Sequence, residues 1–184
     1  MKYNLQSVCA DYDGGEKALR FVFFWGHTPD KNGKITKSVF SQWWHQPFVV
    51  DGITYPTCEH WMMAGKARLF GDSEILAQIL ACSKPDEAKK LGRKVANFDG
   101  KIWNEHKFEI VCTGNMHKFS QHEALRQFLC NTRYHILVEA SPFDNIWGIG
   151  LKAEDARAQN PNLWKGENLL GFALMEVRDA LDAQ

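Results

Sequence analysis

The sequence predicts an α+β fold, predominantly helical, with a small antiparallel β hairpin or sheet near the N-terminus. Three observations carry this. "FVVDGITY" (48–55) sets two β-rich arms around Asp51-Gly52, a pair suited to the positive φ angles of a tight hairpin turn. From Thr57 onward the apolar spacing turns helical and stays so for most of the chain. The 184 residues, 45% hydrophobic and 24% charged, suit a single compact domain spanning 1–184 that buries a core and stays soluble.

Taken in order, "RFVFF" (20–24) reads as a buried strand and "TPDKNGK" as a loop. Thr57 is a natural N-cap for a helix running to Phe70, where Gly71 ends it. "DSEILAQIL" places Ile75, Leu76, Ile79 and Leu80 on one face. In "SKPDEAKKLGRKV", Ser83 is the expected cap and Pro85 falls near the first turn, with Asp86 and Glu87 facing the positive end of the helix dipole. "NFDG" is a turn. "KIWNEHKFEIVCTGNMHKF" is helical, with a break or kink expected at Gly114-Asn115. "SQHEALRQFLC" opens on a capping box from Ser120 to Glu123. "ILVEA" (136–140) reads as a short strand and "SPFDNIWGIGL" as a loop. A last helix starts after Asn168, with Leu170, Leu174, Val177 and Leu181 inward. There are no repeats and no linker.

Composition narrows the function. Lys plus Arg equals Asp plus Glu, 22 each, so nothing in the net charge demands a nucleic-acid backbone as partner. The five cysteines are odd in number, widely spaced and without a C-x-x-C, against both a disulfide scaffold and a structural zinc site. A reduced, cytoplasmic protein is expected. No apolar run has signal-peptide or membrane-spanning character. No dinucleotide fingerprint, P-loop or nucleophile elbow appears, so neither a cofactor nor a metal is expected.

One helix draws attention. "YPTCEHWMMAGKARLFGD" (55–72) is apolar on nearly every side, yet carries Glu59 and Lys66 seven residues apart. Seven residues return a helix to within about 20° of its starting direction after a rise of about 10 Å. The two charges share a stripe with Met62, Met63 and Phe70; Trp61, Ala64 and Leu69 lie opposite. In a structural reading Glu59 is steadied by the dipole and Lys66 snorkels to the surface. In a functional reading both line an apolar pocket that raises an acid's pKa and lowers an amine's, which suits proton transfer and nucleophilic attack near neutral pH. Tryptophans beside turn residues, in "FFWGH", "FSQWWHQP", "NIWGIG" and "NLWKGEN", suit either a core or a stacking platform for a flat heteroaromatic ligand. Asp144, Asn145 and Asn168 in the same loops could fix sugar hydroxyls. Cys58 and His60 flank Glu59 without sharing a helix face, and no base for a Cys58 nucleophile is evident. His117 and His122 read as surface or capping residues.

"FFWGH", "FSQWWHQPFVVDGITYPTCEHWMMAGKARLFGD", "LGRKV", "GNMHKFSQ", "LVEASPFDNIWGIGL" and "NLLGFALMEVRDAL" together resemble the YbiA-like, or NADAR, family. The likeness runs over about 21–182 in the family's order. It implies a helix-rich YbiA-like domain and N-glycosidase chemistry on ribosylated heterocycles. The substrates it implies are ribosylamino-pyrimidine phosphates of early riboflavin synthesis, or ADP-ribose-related ligands including ADP-ribosylated guanine in nucleic acid. By motif, Glu59 takes the catalytic carboxylate position and Lys66 that of the helix lysine. Phe24, Trp103, Asp144, Trp147, Gly148 and Asn168 fall among the expected substrate-binding residues, with Arg93 or Lys118 holding phosphate. Some members carry an acid where Ile149 stands, and 152–165 resembles an insertion that alters substrate range. A non-catalytic module for ADP-ribose-like ligands would need the aromatic pocket and not Glu59. A plain interaction domain would leave the loop tryptophans unexplained.

Overall fold

The structure, a computed structural model, describes residues 1–15 and 18–183. The chain forms two compact units, Met1–Ser41 with Glu123–Gln184, and Gln42–His122. Seven α-helices and four short strands are present among the described residues, giving the helix-dominated α+β fold. Among the described residues no helix is long and apolar enough to cross a membrane.

The first unit is organised on two parallel strands, β1 (Phe21–Phe24) and β4 (Ile136–Glu139), paired from Phe21 with Ile136 to Phe24 with Glu139. The sequence marks both strands but not their partnership, because parallel pairing joins segments far apart in the chain. Leu137 and Val138 are fully buried beneath α7 (Leu169–Asp182). Leu170, Leu174, Val177 and Leu181 face inward as their spacing requires. Gly171 permits the close approach: a Cβ there would lie 2.0 Å from the Leu137 carbonyl. α6 (Glu123–Cys130) packs on α7. A ring cluster of Phe24, Phe40 and Phe128 fills the space beside β1, with centroids 5.5 and 5.4 Å apart.

α1 (Leu5–Gly14) has no counterpart in the sequence reading. Its start is a capping box between Asn4 and Ser7, yet Val8 is its one fully buried residue, so it shows no apolar stripe. The 152–165 segment folds into two 3₁₀ turns, Ala156–Gln159 and Pro161–Leu163. Trp164 anchors it, with Nε1 donating to the Ala158 carbonyl at 2.8 Å and the indole edge-on to Phe21.

The second unit contains the predicted hairpin, β2 (Phe48–Val50) and β3 (Ile53–Tyr55), joined by Asp51 and Gly52 at φ 51° and 77°. Helix α2 (Cys58–Leu69) is its core and packs on α3 (Ser73–Ala81), α4 (Pro85–Gly92) and α5 (Gly100–Ser120). Thr57 caps α2 by accepting from the His60 N–H.

Three local expectations are corrected. Ser83 does not cap α4: Lys84 holds that position without a side-chain bond, and Pro85 supplies the first-turn geometry. Gly114-Asn115 does not interrupt α5, which runs unbroken through both. Gly114 is instead a packing glycine, since a Cβ there would fall 2.3 Å from Trp61 Cδ1; reciprocally, one at Gly65 would fall 2.8 Å from Ile110 Cγ2. Ser120 opens no capping box. It is the last residue of α5, and its hydroxyl donates back to the His117 carbonyl.

Candidate functional site

The candidate residues divide between the two units. In the second, Glu59 lies in the first turn of α2, where unsatisfied N–H groups and the positive dipole end favour a carboxylate. It is 5% exposed, and its own N–H donates to the Gln42 carbonyl. Below it is a buried polar lattice. Asn115 Nδ2 donates to the Val111 carbonyl and to Gln42 Oε1 at 2.8 Å, while Asn115 Oδ1 accepts a longer contact from Cys58 Sγ. Burial pushes the Cys58 thiol up to about 11, so Cys58 is a neutral packing residue and not a thiolate nucleophile. His60 is held neutral in the same way: burial lowers its pKa, and Nδ1 pairs with Thr57 Oγ1 at 2.8 Å.

One rise of seven residues along α2, about 10 Å, lies Lys66. Its Nζ donates to the Gly92 carbonyl at 2.8 Å, at the end of α4. It also sits over the Phe98 ring at 4.1 Å and the Trp103 ring at 5.8 Å. Burial lowers its pKa below the usual 10.5. Phe70 meets Phe98 edge-on and closes the box of rings. Gly92 makes room for this arrangement, since any Cβ there would collide with the Met63 side chain. The fold therefore brings Lys66 and Trp103 together. Phe98 completes the pair although the sequence reading missed it; its signal was an aromatic residue inside the "NFDG" turn.

Lys118 is fully buried, and burial lowers its pKa as well. Arg93 is exposed immediately after α4. Gln42, also absent from the sequence reading, is buried beside the N-terminus of α2.

In the first unit the "DNIWGIG" loop is held by its own acid. Asp144 Oδ1 accepts from the N–H groups of Ile146 and Trp147, at 2.9 and 2.7 Å. Gly148 fits against backbone, its missing Cβ 2.8 Å from the Glu139 carbonyl. Ile149 is fully buried, so position 149 faces the interior in this chain. Asn168 has φ 54° and is fully buried. Its Oδ1 accepts from the Glu139 N–H and its Nδ2 donates to the Leu137 carbonyl, both at 2.9 Å. The Asn168 amide thus serves the β4 backbone and is not directed to solvent. Trp147 is half-buried on this frame. Phe24 is 3% exposed and contributes one edge to a cavity of about 430 Å³.

Among the described residues no group of three or more His, Cys, Asp or Glu side chains could hold a metal ion. What the geometry offers is a buried carboxylate at a helix start, an amine with depressed basicity boxed by aromatic faces, and an indole on a braced glycine loop.

The fold is that of a family of helix-rich domains. The NADAR domain family matches residues 23–182, and the chain belongs to it. The N-glycosidase R617 of Acanthamoeba polyphaga mimivirus is 44% identical over 165 residues, 87% of this chain and 95% of that protein. The N-glycosidase YbiA of Escherichia coli (strain K12) is 35% identical over 154 residues, 84% of each chain. The NMR structure of the E. coli protein YbiA superposes with a TM-score of 0.71 at 30% identity, covering 89% of this chain and 86% of that one.

Proposed function

We propose that the chain hydrolyses the C–N bond between a ribose phosphate and a nitrogen heterocycle, with ribosylamino-pyrimidine phosphates as the substrate class. The chain is an enzyme of the N-glycosidase class, the activity carried in the names of its relatives R617 and YbiA. The observation that carries the finer reading is Lys66: an amine of lowered pKa, seated against Phe98 and Trp103. An amine that is neutral part of the time can attack C1 of a ring-opened sugar. The heterocycle's amine then leaves, the sugar is held as an imine on Nζ, and water releases it. The rings beside the lysine suit the flat heterocycle by stacking. In this reading Glu59 handles the proton or stabilises the cation-like anomeric carbon. Arg93, exposed just after α4, supplies the charge for the phosphate. The five cysteines are free thiols, which accords with a cytoplasmic location.

The test is release of free base from a panel: a ribosylamino-pyrimidine phosphate, NAD, and ADP-ribosylated guanine in a mononucleotide and in a DNA strand. Fastest turnover of the first, with loss in Glu59→Gln, supports the proposal. Preference for ADP-ribosylated guanine would reassign the substrate to the ADP-ribose class. Binding of ADP-ribose with no turnover of any substrate would make the chain a binding module.

A further inference from the structure

The first turn of a helix has N–H groups without partners inside it, and a glutamate placed there ordinarily turns its carboxylate back to cap them. A carboxylate used in that way has lost its reach. In α2 two of those groups are served from elsewhere. The Glu59 N–H donates to the Gln42 carbonyl at 3.0 Å, and the His60 N–H to Thr57 Oγ1 at 3.4 Å. The Trp61 N–H, next in line, closes the turn on the Thr57 carbonyl.

What stiffens this cap is the side chain of His60. Thr57 is the N-cap, and His60 stands at the third helical position. In an ordinary capping box that position holds a glutamate or glutamine, whose side chain reaches back to the cap residue. Here an imidazole makes the reach: Nδ1 lies 2.8 Å from Thr57 Oγ1. The hydroxyl already accepts from the His60 N–H, so its hydrogen goes to Nδ1, and the proton of the neutral ring falls on Nε2. Thr57 is 0% exposed and His60 1%, so water does not compete for the pair. An imidazolium would meet both the positive end of the α2 dipole and the cost of burial, which keeps the ring in the state that accepts. On the other side of Glu59, Cys58 Sγ contacts Asn115 Oδ1, and Asn115 also holds the Gln42 side chain. The residues flanking Glu59 are thus tied down by side chains other than its own.

We propose that His60 is a positioning residue for Glu59, acting through Thr57, a role that rests on the reading of Glu59 as the acting carboxylate. The imidazole takes over the cap that a first-turn glutamate would otherwise serve. The carboxylate is thereby spared for the anomeric carbon or for the proton. Thr57, Glu59 and His60 then form one unit of cap, acid and lock. The histidine supplies an acceptor at Nδ1 and not a charge, so it neither touches substrate nor exchanges protons during turnover.

The test measures kcat and KM for base release from a ribosylamino-pyrimidine phosphate and from an ADP-ribosylated guanine mononucleotide. Thr57→Val and His60→Leu should each lower kcat about 10–100-fold, the scale of a displacement of about 1 Å at a reacting group, with KM within about twofold. The double variant should be no slower than the slower single one. Thr57→Ser keeps the hydroxyl and His60→Asn keeps an acceptor at the Nδ1 position, so both should retain most of the wild-type kcat. In a Glu59→Gln background His60→Leu should lower the residual rate no further, because a residue acting through Glu59 has nothing left to position. Melting temperatures are measured alongside. Should the leucine variant not fold, His60→Gln takes its place, since its amide reaches the Nε2 position and misses Nδ1. Wild-type kcat in Thr57→Val and His60→Leu, with Glu59→Gln slowed, would overturn this role alone. So would a His60→Asn protein as slow as His60→Leu, a loss confined to KM, or a further loss in the Glu59→Gln background. Wild-type turnover in Glu59→Gln would instead remove the reading of Glu59 itself, and this role with it.

Discussion

Replacing Gly114 by alanine tests the packing that sets the angle of the site-bearing helix. The added Cβ would stand 2.3 Å from Trp61 Cδ1 and 2.9 Å from both Cγ and Nε1. The indole cannot retreat freely. Its Nε1 donates to the Ile110 carbonyl at 2.8 Å, and its ring meets Tyr55 edge-on at 5.0 Å. Overpacking of this kind costs about 1–3 kcal/mol, and loss of the indole hydrogen bond about 1 kcal/mol more. Alanine recovers about 1 kcal/mol in helix propensity over glycine. The net expectation is a loss of about 1–3 kcal/mol. At about 2–4 °C per kcal/mol for a chain of this length, the melting temperature should fall by about 2–12 °C. Scanning calorimetry reads this, with Gly100→Ala as control, because nothing lies within 4 Å of a Cβ at Gly100. In a Trp61→Leu background the Gly114→Ala penalty should shrink, giving a measurable coupling. A Gly114→Ala protein that melts at or above the wild-type temperature would refute the reasoning, since propensity alone would then govern the position.

Glu59→Gln should lower turnover by a factor of about 10²–10⁴, the usual worth of a positioned acid or base, while the fold persists; wild-type turnover would make Glu59 purely structural. The lowered Lys66 pKa means that the folded chain binds fewer protons there than the unfolded chain. Its contribution to stability therefore rises with pH between the lowered value and 10.5, and is constant outside that window. If Lys66 is the nucleophile, turnover climbs through the lowered value. Lys66→Arg then abolishes both turnover and the borohydride-trapped adduct, because guanidinium stays protonated; partial activity in the Arg variant with no wild-type adduct would leave an electrostatic role. Trp103→Ala and Trp147→Ala should each raise KM by about 5–150-fold, taking base stacking at about 1–3 kcal/mol. A large fall in melting temperature with unchanged KM would mark that ring as core.

The hairpin, the α2 cap and the inward face of α7 were legible because each depends on local spacing or on one turn's chemistry. The β1–β4 pair was not, since strands over a hundred residues apart leave no local trace of their partnership. Gly114 misled for a related reason: a glycine in a helical run reads as a break, and only the partner helix reveals that Trp61 fills the space. α1 was missed because it buries little beyond Val8. At the candidate site, the stripe placing Glu59 and Lys66 on one helix was readable at 3.6 residues per turn. The Gly92 carbonyl and the Phe98 ring that receive the lysine came from elements whose packing no periodicity encodes.

The "DNIWGIG" stretch has a loop's composition but not a loop's freedom. The N–H groups of Lys165, Glu167, Asn168, Leu169 and Leu170 donate to the carbonyls of Ile149, Asn145, Gly148, Ile146 and Trp147. Gly166 lies so close that a Cβ there would be 2.3 Å from the Gly148 carbonyl oxygen. Segments laced in this way open together or not at all, so the donor amides of 165–170 should exchange with deuterium as slowly as those of β4. The indole of Trp147 is then mounted on a frame that neither rearranges to admit a ligand nor gains order by holding one. The entropy of arranging it is spent during folding, so under the proposed stacking role a flat ring would meet a surface already in its final position.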